Sequence, residues 1–262
     1  MRDKFIHKDE FRLRILLTNE CDKNCSFCLN DFQPKEPVVY ANICDVADCL
    51  RAYGSFMKGE GIVTFSGGEP GLHLGLESIL RYARHHCKTV KVVTNGLAFN
   101  PDYLPYVDMW HIGVTDKDQS VVDLLQYTKN IMVQLVVIDG MTIVSLIDFV
   151  SFYRKAGILV KLFVDFNSNG NDRTWIECVI REMQRMFGNG VCSRFTGKQI
   201  NRGVACSGCK KDCVTLKALW VFPDGRSSTC PQGVTEYFDD DSWDETVERA
   251  YNAHLYIPEK GA

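Results

Sequence analysis

A chain of 262 residues, 45% of them hydrophobic, is long enough to bury one sizeable core and to carry a small appendage. Its formal net charge of −3 offers no bulk electrostatic basis for a nucleic-acid or membrane partner, so neither is expected. No run approaches about eighteen consecutive apolar residues, and Met1-Arg2-Asp3-Lys4-Phe5 lacks the apolar core of a signal peptide; a soluble, cytoplasmic protein is expected.

Arg12 to Leu17 reads as a first strand. Asn42 to Met57 is a helix capped by Asn42, with Ile43, Val46, Ala47, Leu50 and Tyr53 on one face. Gly61 to Ser66 is a second strand, followed by a helix near Leu74 to Cys87. Val90 to Thr94 and Met109 to Val114 are the third and fourth strands. Ile131 to Ile138 is the fifth, followed by a helix from about Thr142 to Lys155; Ile158 to Phe166 is the sixth, followed by a helix from about Arg173 to Met186. Such strand-then-helix units predict a parallel sheet with helices outside it. Six are too few to close an eight-stranded barrel, so the expected fold class is α/β, a partial (β/α)6 barrel. Its active site should lie where the loops at the carboxyl ends of the strands converge.

Beyond Phe187, glycine, cysteine and basic residues replace the alternation. A short hairpin is expected around Ala218 to Phe222, turning at Pro223-Asp224-Gly225, and a last helix near Ser242 to Leu255. Residues 1–187 are therefore expected to form the barrel domain, and 188–262 a small cysteine-rich subdomain.

The chain has twelve cysteines, which spacing must sort. At this length and without an export signal, clustered thiols point to metal rather than to disulfides. Cys21, Cys25 and Cys28 follow the first strand with Cys-x3-Cys-x2-Cys spacing. Three thiolates on one short loop can meet on one iron–sulfur cluster, which normally takes four ligands, and leave one iron open to a small molecule. A zinc site, or thiols that happen to cluster, is the alternative; zinc prefers paired Cys-x2-Cys, and the x3-x2 triad is a poor match.

With Thr64-Phe65-Ser66-Gly67-Gly68-Glu69-Pro70 at the end of the second strand, this loop resembles the radical SAM superfamily over roughly residues 10 to 187. The resemblance implies that Cys21, Cys25 and Cys28 hold three irons of a [4Fe–4S] cluster, while the amino and carboxylate groups of S-adenosylmethionine chelate the fourth. Reduction cleaves a carbon–sulfur bond, and a 5′-deoxyadenosyl radical abstracts hydrogen from the substrate, the protein supplying position and exclusion of water. It also implies that Ser66, Gly67, Gly68 and Glu69 hold the methionine end, the glycines letting backbone approach the ligand closely. Phe27 would pack near the adenine, and Thr94, Asn95 and Thr115 would stand beside the cofactor or substrate. An ordinary Asn-Gly turn is the other reading of Thr94-Asn95-Gly96.

Cys206, Cys209, Cys213 and Cys230 make a second set of four thiols. Cys213-x11-Gly225-x4-Cys230 is similar to the opening of the SPASM extension of radical SAM enzymes, and the shorter twitch variant implies one auxiliary [4Fe–4S] cluster, an electron acceptor or a handle for the substrate. A structural zinc knot is the alternative. Cys44, Cys49 and Cys178 fall within expected helices and Cys87 at a helix end, where free cysteine usually serves as a small hydrophobe. Cys192 fits no such pattern.

Arg14 matches a substrate-binding arginine of the GTP cyclase of molybdenum-cofactor biosynthesis, but Thr64 stands where that enzyme carries another arginine, so its activity is not assigned. A salt-bridged strand residue is the other reading of Arg14. Asp165 at the end of the sixth strand reads as a substrate ligand at the barrel mouth or as a turn carboxylate. Arg194, Lys198, Arg202, Lys210 and Lys211 read as a solvated loop surface, or as an attractor for an anionic substrate. The expectation is an oxidoreductase or cyclase acting on a small metabolite or short peptide, reduced by a partner such as flavodoxin or ferredoxin. A non-catalytic electron carrier or scaffold is the competing reading, against which the triad and Gly67-Gly68-Glu69-Pro70 stand together.

Overall fold

The structure, a computed structural model, describes residues 11–28, 37–165, 170–194, 218–229 and 242–253. Parallel strands follow one another across the sheet in chain order: β1 (Arg12–Leu16), β2 (Ile62–Ser66), β3 (Thr89–Thr94), β4 (Met109–Gly113), β5 (Ile131–Val137), β6 (Leu159–Val164) and β7 (Val191–Arg194). The expected strands are all present. The addition is β7, a run of four residues too short for its periodicity to register in the sequence.

At the other edge, β8 (Ala218–Val221) pairs parallel to β1 and antiparallel to β9 (Ser227–Ser228). The hairpin turns where expected: the Phe222 N–H donates to the Arg226 carbonyl at 2.8 Å and the Gly225 N–H to the Phe222 carbonyl at 3.0 Å. The sheet order is β7-β6-β5-β4-β3-β2-β1-β8-β9, an open partial barrel. Among the described residues after 188, β7 extends this sheet at one edge and β8 and β9 at the other.

The outer layer contains α1 (Ile43–Phe56), α2 (Leu76–His86), the short α3 (Gln119–Asp123), α4 (Ile143–Lys155), α5 (Gly170–Phe187) and α6 (Trp243–Ala253). Sequence caps set two of the starts. The Asn42 carboxamide oxygen accepts the Cys44 N–H at 2.8 Å, and Thr142 and Ser145 form a reciprocal cap on α4. No helix among the described residues is long and apolar enough to cross a membrane.

The right-handed sense that parallel crossovers favour puts successive helices on one face of the sheet. Leu13, Ile15, Val63, Phe65, Val92, Ile112, Val133 and Leu162 are fully buried on that side, each worth about 1.5–3 kcal/mol. The intervening residues occupy the other, concave face. Tyr53 of α1 pins the amino end of the barrel. Its hydroxyl donates to the Phe11 carbonyl at 2.9 Å and accepts the Ile62 N–H at 3.1 Å, and burial pushes its pKa up. The carboxyl end is left to the loops.

Candidate active site at the carboxyl ends of the first strands

The cysteine loop begins as an extension of β1. The Leu17 N–H donates to the Ser66 carbonyl at 2.8 Å, and Thr18, fully buried, accepts the Glu20 N–H on its hydroxyl at 3.0 Å. Asn19 holds the returning chain, accepting the Val39 N–H at 2.8 Å and donating to the Pro37 carbonyl at 2.9 Å. The Tyr40 hydroxyl donates to the Glu20 carboxylate. Cys21 therefore starts from a braced backbone. Beyond it the chain turns once, the Cys28 N–H donating to the Cys25 carbonyl at 3.1 Å.

Cys21, Cys25 and Cys28 form no disulfide; Cys21 is exposed and the other two are half-buried. Partial burial pushes the Cys21 thiol up, the nearby carboxylates of Asp22 and Glu69 and the Cys28 thiol add to this, and a hydrogen bond from the Lys23 N–H opposes it. Among the described residues no three His, Cys, Asp or Glu side chains already form a metal shell. The donor set nonetheless fits an iron–sulfur cluster: it consists of sulfur, shares one loop, and none of the three side chains is buried. Phe27 sits half-buried in the turn between Cys25 and Cys28.

Ser66 to Glu69 lies directly on this loop. Gly67 has φ +142°, and a Cβ there would stand 2.6 Å from the Thr18 carbonyl oxygen; at Gly68 the Glu20 carbonyl oxygen would be 1.9 Å away. The Gly68 and Glu69 N–H groups donate to the Thr18 and Glu20 carbonyls, each at 2.7 Å. Glycine is required here for contact between two backbones.

Glu69 joins this pair to β3. Its carboxylate is 1% exposed and accepts the Gly71 N–H at 2.9 Å, the Thr94 hydroxyl at 2.7 Å and the Asn95 N–H at 2.7 Å. Burial raises its pKa, and those three donors oppose the rise. Thr94 in turn accepts the Gly96 and Ala98 N–H groups at 2.9 and 3.1 Å. The Asn95 carboxamide reaches back to donate to Asp22 at 2.5 Å, within the cysteine loop. Three loops from adjacent strands thus form one hydrogen-bonded unit. Thr115 stands apart, exposed in the bend after β4.

Cys206, Cys209, Cys213 and Cys230 lie outside the described residues, as do Lys198, Arg202, Lys210 and Lys211. Cys49 and Cys87 are core residues, as their helical positions suggested, and burial raises both thiols, Cys87 to about 12. Cys44 and Cys178 differ, being exposed on the outer faces of α1 and α5. Asp165 continues the line of β6 at the mouth, its N–H donating to the Val137 carbonyl at 3.3 Å.

Below the mouth, the concave face holds residues that motif reading passed over. His111 of β4 is 8% exposed and its Nδ1 lies 2.7 Å from the Gln134 carboxamide nitrogen of β5. The signal was present in the strands: the phase opposite the apolar positions carries Arg14, Lys91, His111, Gln134 and Lys161. Burial, then the charges of Lys161, Lys91 and Arg14, push the His111 pKa from 6.5 down to about 3.

A depressed histidine contributes stability that is present above its unfolded pKa of 6.5 and is lost as pH falls toward about 3. The slope below about pH 6 should reach about 1.4 kcal/mol per unit. Urea midpoints measured from neutral to acid pH should therefore fall more steeply for the wild type than for His111→Gln. Parallel curves would contradict the neutral, buried assignment.

Comparison with known proteins follows the same lines. No family model matches the chain. The S-adenosylmethionine-dependent nucleotide dehydratase of Selenomonas ruminantium is 26% identical over 96 residues, 36% of this chain and 34% of that protein, so the match spans about a third of the relative. Streptococcus suis SuiB bound to the precursor peptide SuiA superposes with a TM-score of 0.71 at 12% identity, covering 96% of this chain and 68% of SuiB. Native anSMEcpe with bound AdoMet superposes at 0.67 and 13% identity, covering 95% and 84% of the two chains. At these identities the likeness is one of fold.

Proposed function

We propose that this chain, which has the fold of the radical SAM enzymes, is itself such an enzyme, binding a [4Fe–4S] cluster through Cys21, Cys25 and Cys28. The observation that carries the reading is the unit built on Glu69, which ties the cysteine loop, the Gly67-Gly68 turn and Thr94-Asn95 together at the ends of β1, β2 and β3. When bound, the cluster supplies an electron and S-adenosylmethionine supplies the 5′-deoxyadenosyl radical, which together open hydrogen-abstraction chemistry.

The residues of the chain bind, orient and exclude water. The three thiolates would hold the cluster and leave one coordination position for S-adenosylmethionine. Ser66, Gly67, Gly68 and Glu69 would shape the floor for its methionine end, beside Thr94 and Asn95; Phe27 would pack near the adenine, and Thr115, set apart in the bend after β4, would stand beside the cofactor. Glu69 acts chiefly by position: its carboxylate is committed to Gly71, Thr94 and Asn95, so it fixes the distance between the loops. The substrate, a small metabolite or short peptide, enters the concave face and is oxidised, cyclised or epimerised there. SuiB bound to its precursor peptide and the nucleotide dehydratase give precedents of both sizes.

Residues 1–187 carry this chemistry in the proposal, and 188–262 add an auxiliary [4Fe–4S] cluster on Cys206, Cys209, Cys213 and Cys230, with zinc as the competing metal. A flavodoxin or ferredoxin supplies the electron, and a cytoplasmic location suits an oxygen-sensitive centre. The test is anaerobic reconstitution with iron and sulfide, then dithionite and S-adenosylmethionine. The expected result is an electron paramagnetic signal that changes when S-adenosylmethionine is added, with release of 5′-deoxyadenosine. A fully loaded, reduced protein showing neither change nor product would overturn the assignment.

A further inference from the structure

Asn95, just past the end of β3, holds a carboxylate on either side of itself. Its backbone N–H donates to Glu69 at 2.7 Å, and its carboxamide nitrogen donates to Asp22 at 2.5 Å. The carboxamide oxygen accepts the Leu97 N–H at 3.2 Å, so the amide cannot turn over without losing both contacts. The same Asp22 oxygen lies 3.8 Å from the Cys21 sulfur. Both carboxylates are met by neutral donors, and neither forms an ion pair among the described residues. Burial pushes the Cys21 thiol up and the two carboxylates add to it, so both charges are felt at that sulfur.

We propose, resting on the catalytic reading above, that Asp22 is a positioning residue of the iron–sulfur site: a fixed negative charge, held beside Cys21 by Asn95, that lowers the reduction potential of the cluster. Reduction adds one electron, taken from an external donor of the flavodoxin or ferredoxin class, and makes the cluster more negative. A carboxylate fixed beside a ligand sulfur opposes that added charge and favours the oxidised form. Net charge, hydrogen bonds to the sulfurs and exposure are the levers that set such potentials. A low potential serves the chemistry, because a sulfonium group resists reduction. The Lys23 N–H, donating to the Cys21 sulfur at 3.4 Å, acts in the opposite sense by spreading the charge on that sulfur. Cys21 thus carries one influence of each sign, and Asp22 is the one governed from another strand.

The tether is what makes the charge count. Asp22 is exposed, and a carboxylate free to swing outward there would be screened by water and salt. Asn95 prevents this from the facing loop, and its own backbone is held by Glu69, which is 1% exposed. The neutrality of the partner matters equally. A lysine or arginine in place of Asn95 could hold the carboxylate as firmly, but it would cancel the charge. A carboxamide fixes the position and leaves the charge whole.

The test is a redox titration of the anaerobically reconstituted protein with dithionite and mediators, without S-adenosylmethionine, followed by the paramagnetic signal of the reduced cluster. Asp22→Asn keeps an oxygen to accept from Asn95 and removes only the charge. It should favour reduction about tenfold, a rise of about 59 mV for a one-electron couple. Asp22→Glu, which keeps the charge, should stay within about twofold of the wild type. Asn95→Ala frees the carboxylate and should favour reduction about threefold; this variant decides if Asp22→Asn takes up no cluster. Glu60→Gln removes an exposed carboxylate paired with Lys88 at the amino end of the sheet and should leave the potential unchanged. The gap between Asp22→Asn and the wild type should narrow as salt is raised, which a mere change of loop shape would not produce. An unchanged potential in the deciding variant, or a gap that ignores salt, would overturn the tuning role. Iron content and 5′-deoxyadenosine formation separate the two proposals. A wild-type chain that binds no cluster overturns both. A cluster whose potential ignores Asp22 removes only this inference, and a tuned cluster that cleaves no S-adenosylmethionine removes only the catalytic reading.

Discussion

Changing Cys21, Cys25 or Cys28 to alanine should abolish 5′-deoxyadenosine formation, by about a thousandfold or more, while leaving the apoprotein folded. The thermodynamic half of this expectation follows from placement. These side chains are exposed or half-exposed on a loop, and surface truncations of that kind usually change stability by about 0.5 kcal/mol or less. The loop backbone is braced independently through Thr18, Asn19 and Tyr40. The catalytic half follows from ligand count: a cluster held by two thiolates loses the anchoring that reserves one iron for an incoming ligand. Cys44→Ala and Cys178→Ala, which remove exposed thiols on α1 and α5, serve as controls and should keep full product yield. Iron content, the reduced-cluster signal and product formation would be measured on each variant. A triad variant that keeps more than about a tenth of the wild-type turnover would contradict a three-thiolate site.

The second large effect is expected at Gly68. An added methyl group would sit 1.9 Å from the Glu20 carbonyl oxygen and 2.4 Å from its carbon, inside any allowed contact. Both atoms belong to backbone, so no side chain can swing aside. Relief requires the glycine turn and the cysteine loop to separate, which breaks the Gly68-to-Thr18 and Glu69-to-Glu20 hydrogen bonds. Gly68→Ala should cost about 3 kcal/mol or more, at the upper end of overpacking penalties, and move the cysteines away from Thr94 and Asn95. Gly113→Ala offers the contrast. Its nearest neighbour would be the Thr94 carbonyl oxygen at 3.7 Å, an ordinary contact, so that variant should be neutral or slightly stabilising. Chemical denaturation of the two variants, together with S-adenosylmethionine binding, would decide. Equal stability of Gly68→Ala and the wild type would mean that the two backbones do not touch.

Legibility in the sequence differed from residue to residue for physical reasons. The strands β1 to β6 were visible because their Val- and Ile-rich runs are bounded by turns, and α1 because Asn42 and its apolar stripe are local signals. The hairpin at Pro223-Asp224-Gly225 was visible because turn chemistry involves only neighbours. By contrast, β7 offers four residues, and the parallel seat of β8 beside β1 joins segments about two hundred residues apart, which no local pattern encodes. Glu69 was recognisable as part of a motif, but its burial against Thr94 and Asn95 was not, because those partners come from the end of another strand.

The amino-acid order alone determined the α/β class, the strand-and-helix succession and the three clustered thiols, since each depends on spacing within a short window. The tertiary structure decided which ends of those strands meet, that Gly68 lies against Glu20, and that Arg14, Lys91 and Lys161 share one face with a neutral His111. The reason is the pleat and the register. Alternation assigns a side chain to one of two faces, but only the pairing of distant strands and the side taken by the helices determine which face becomes the floor of the barrel.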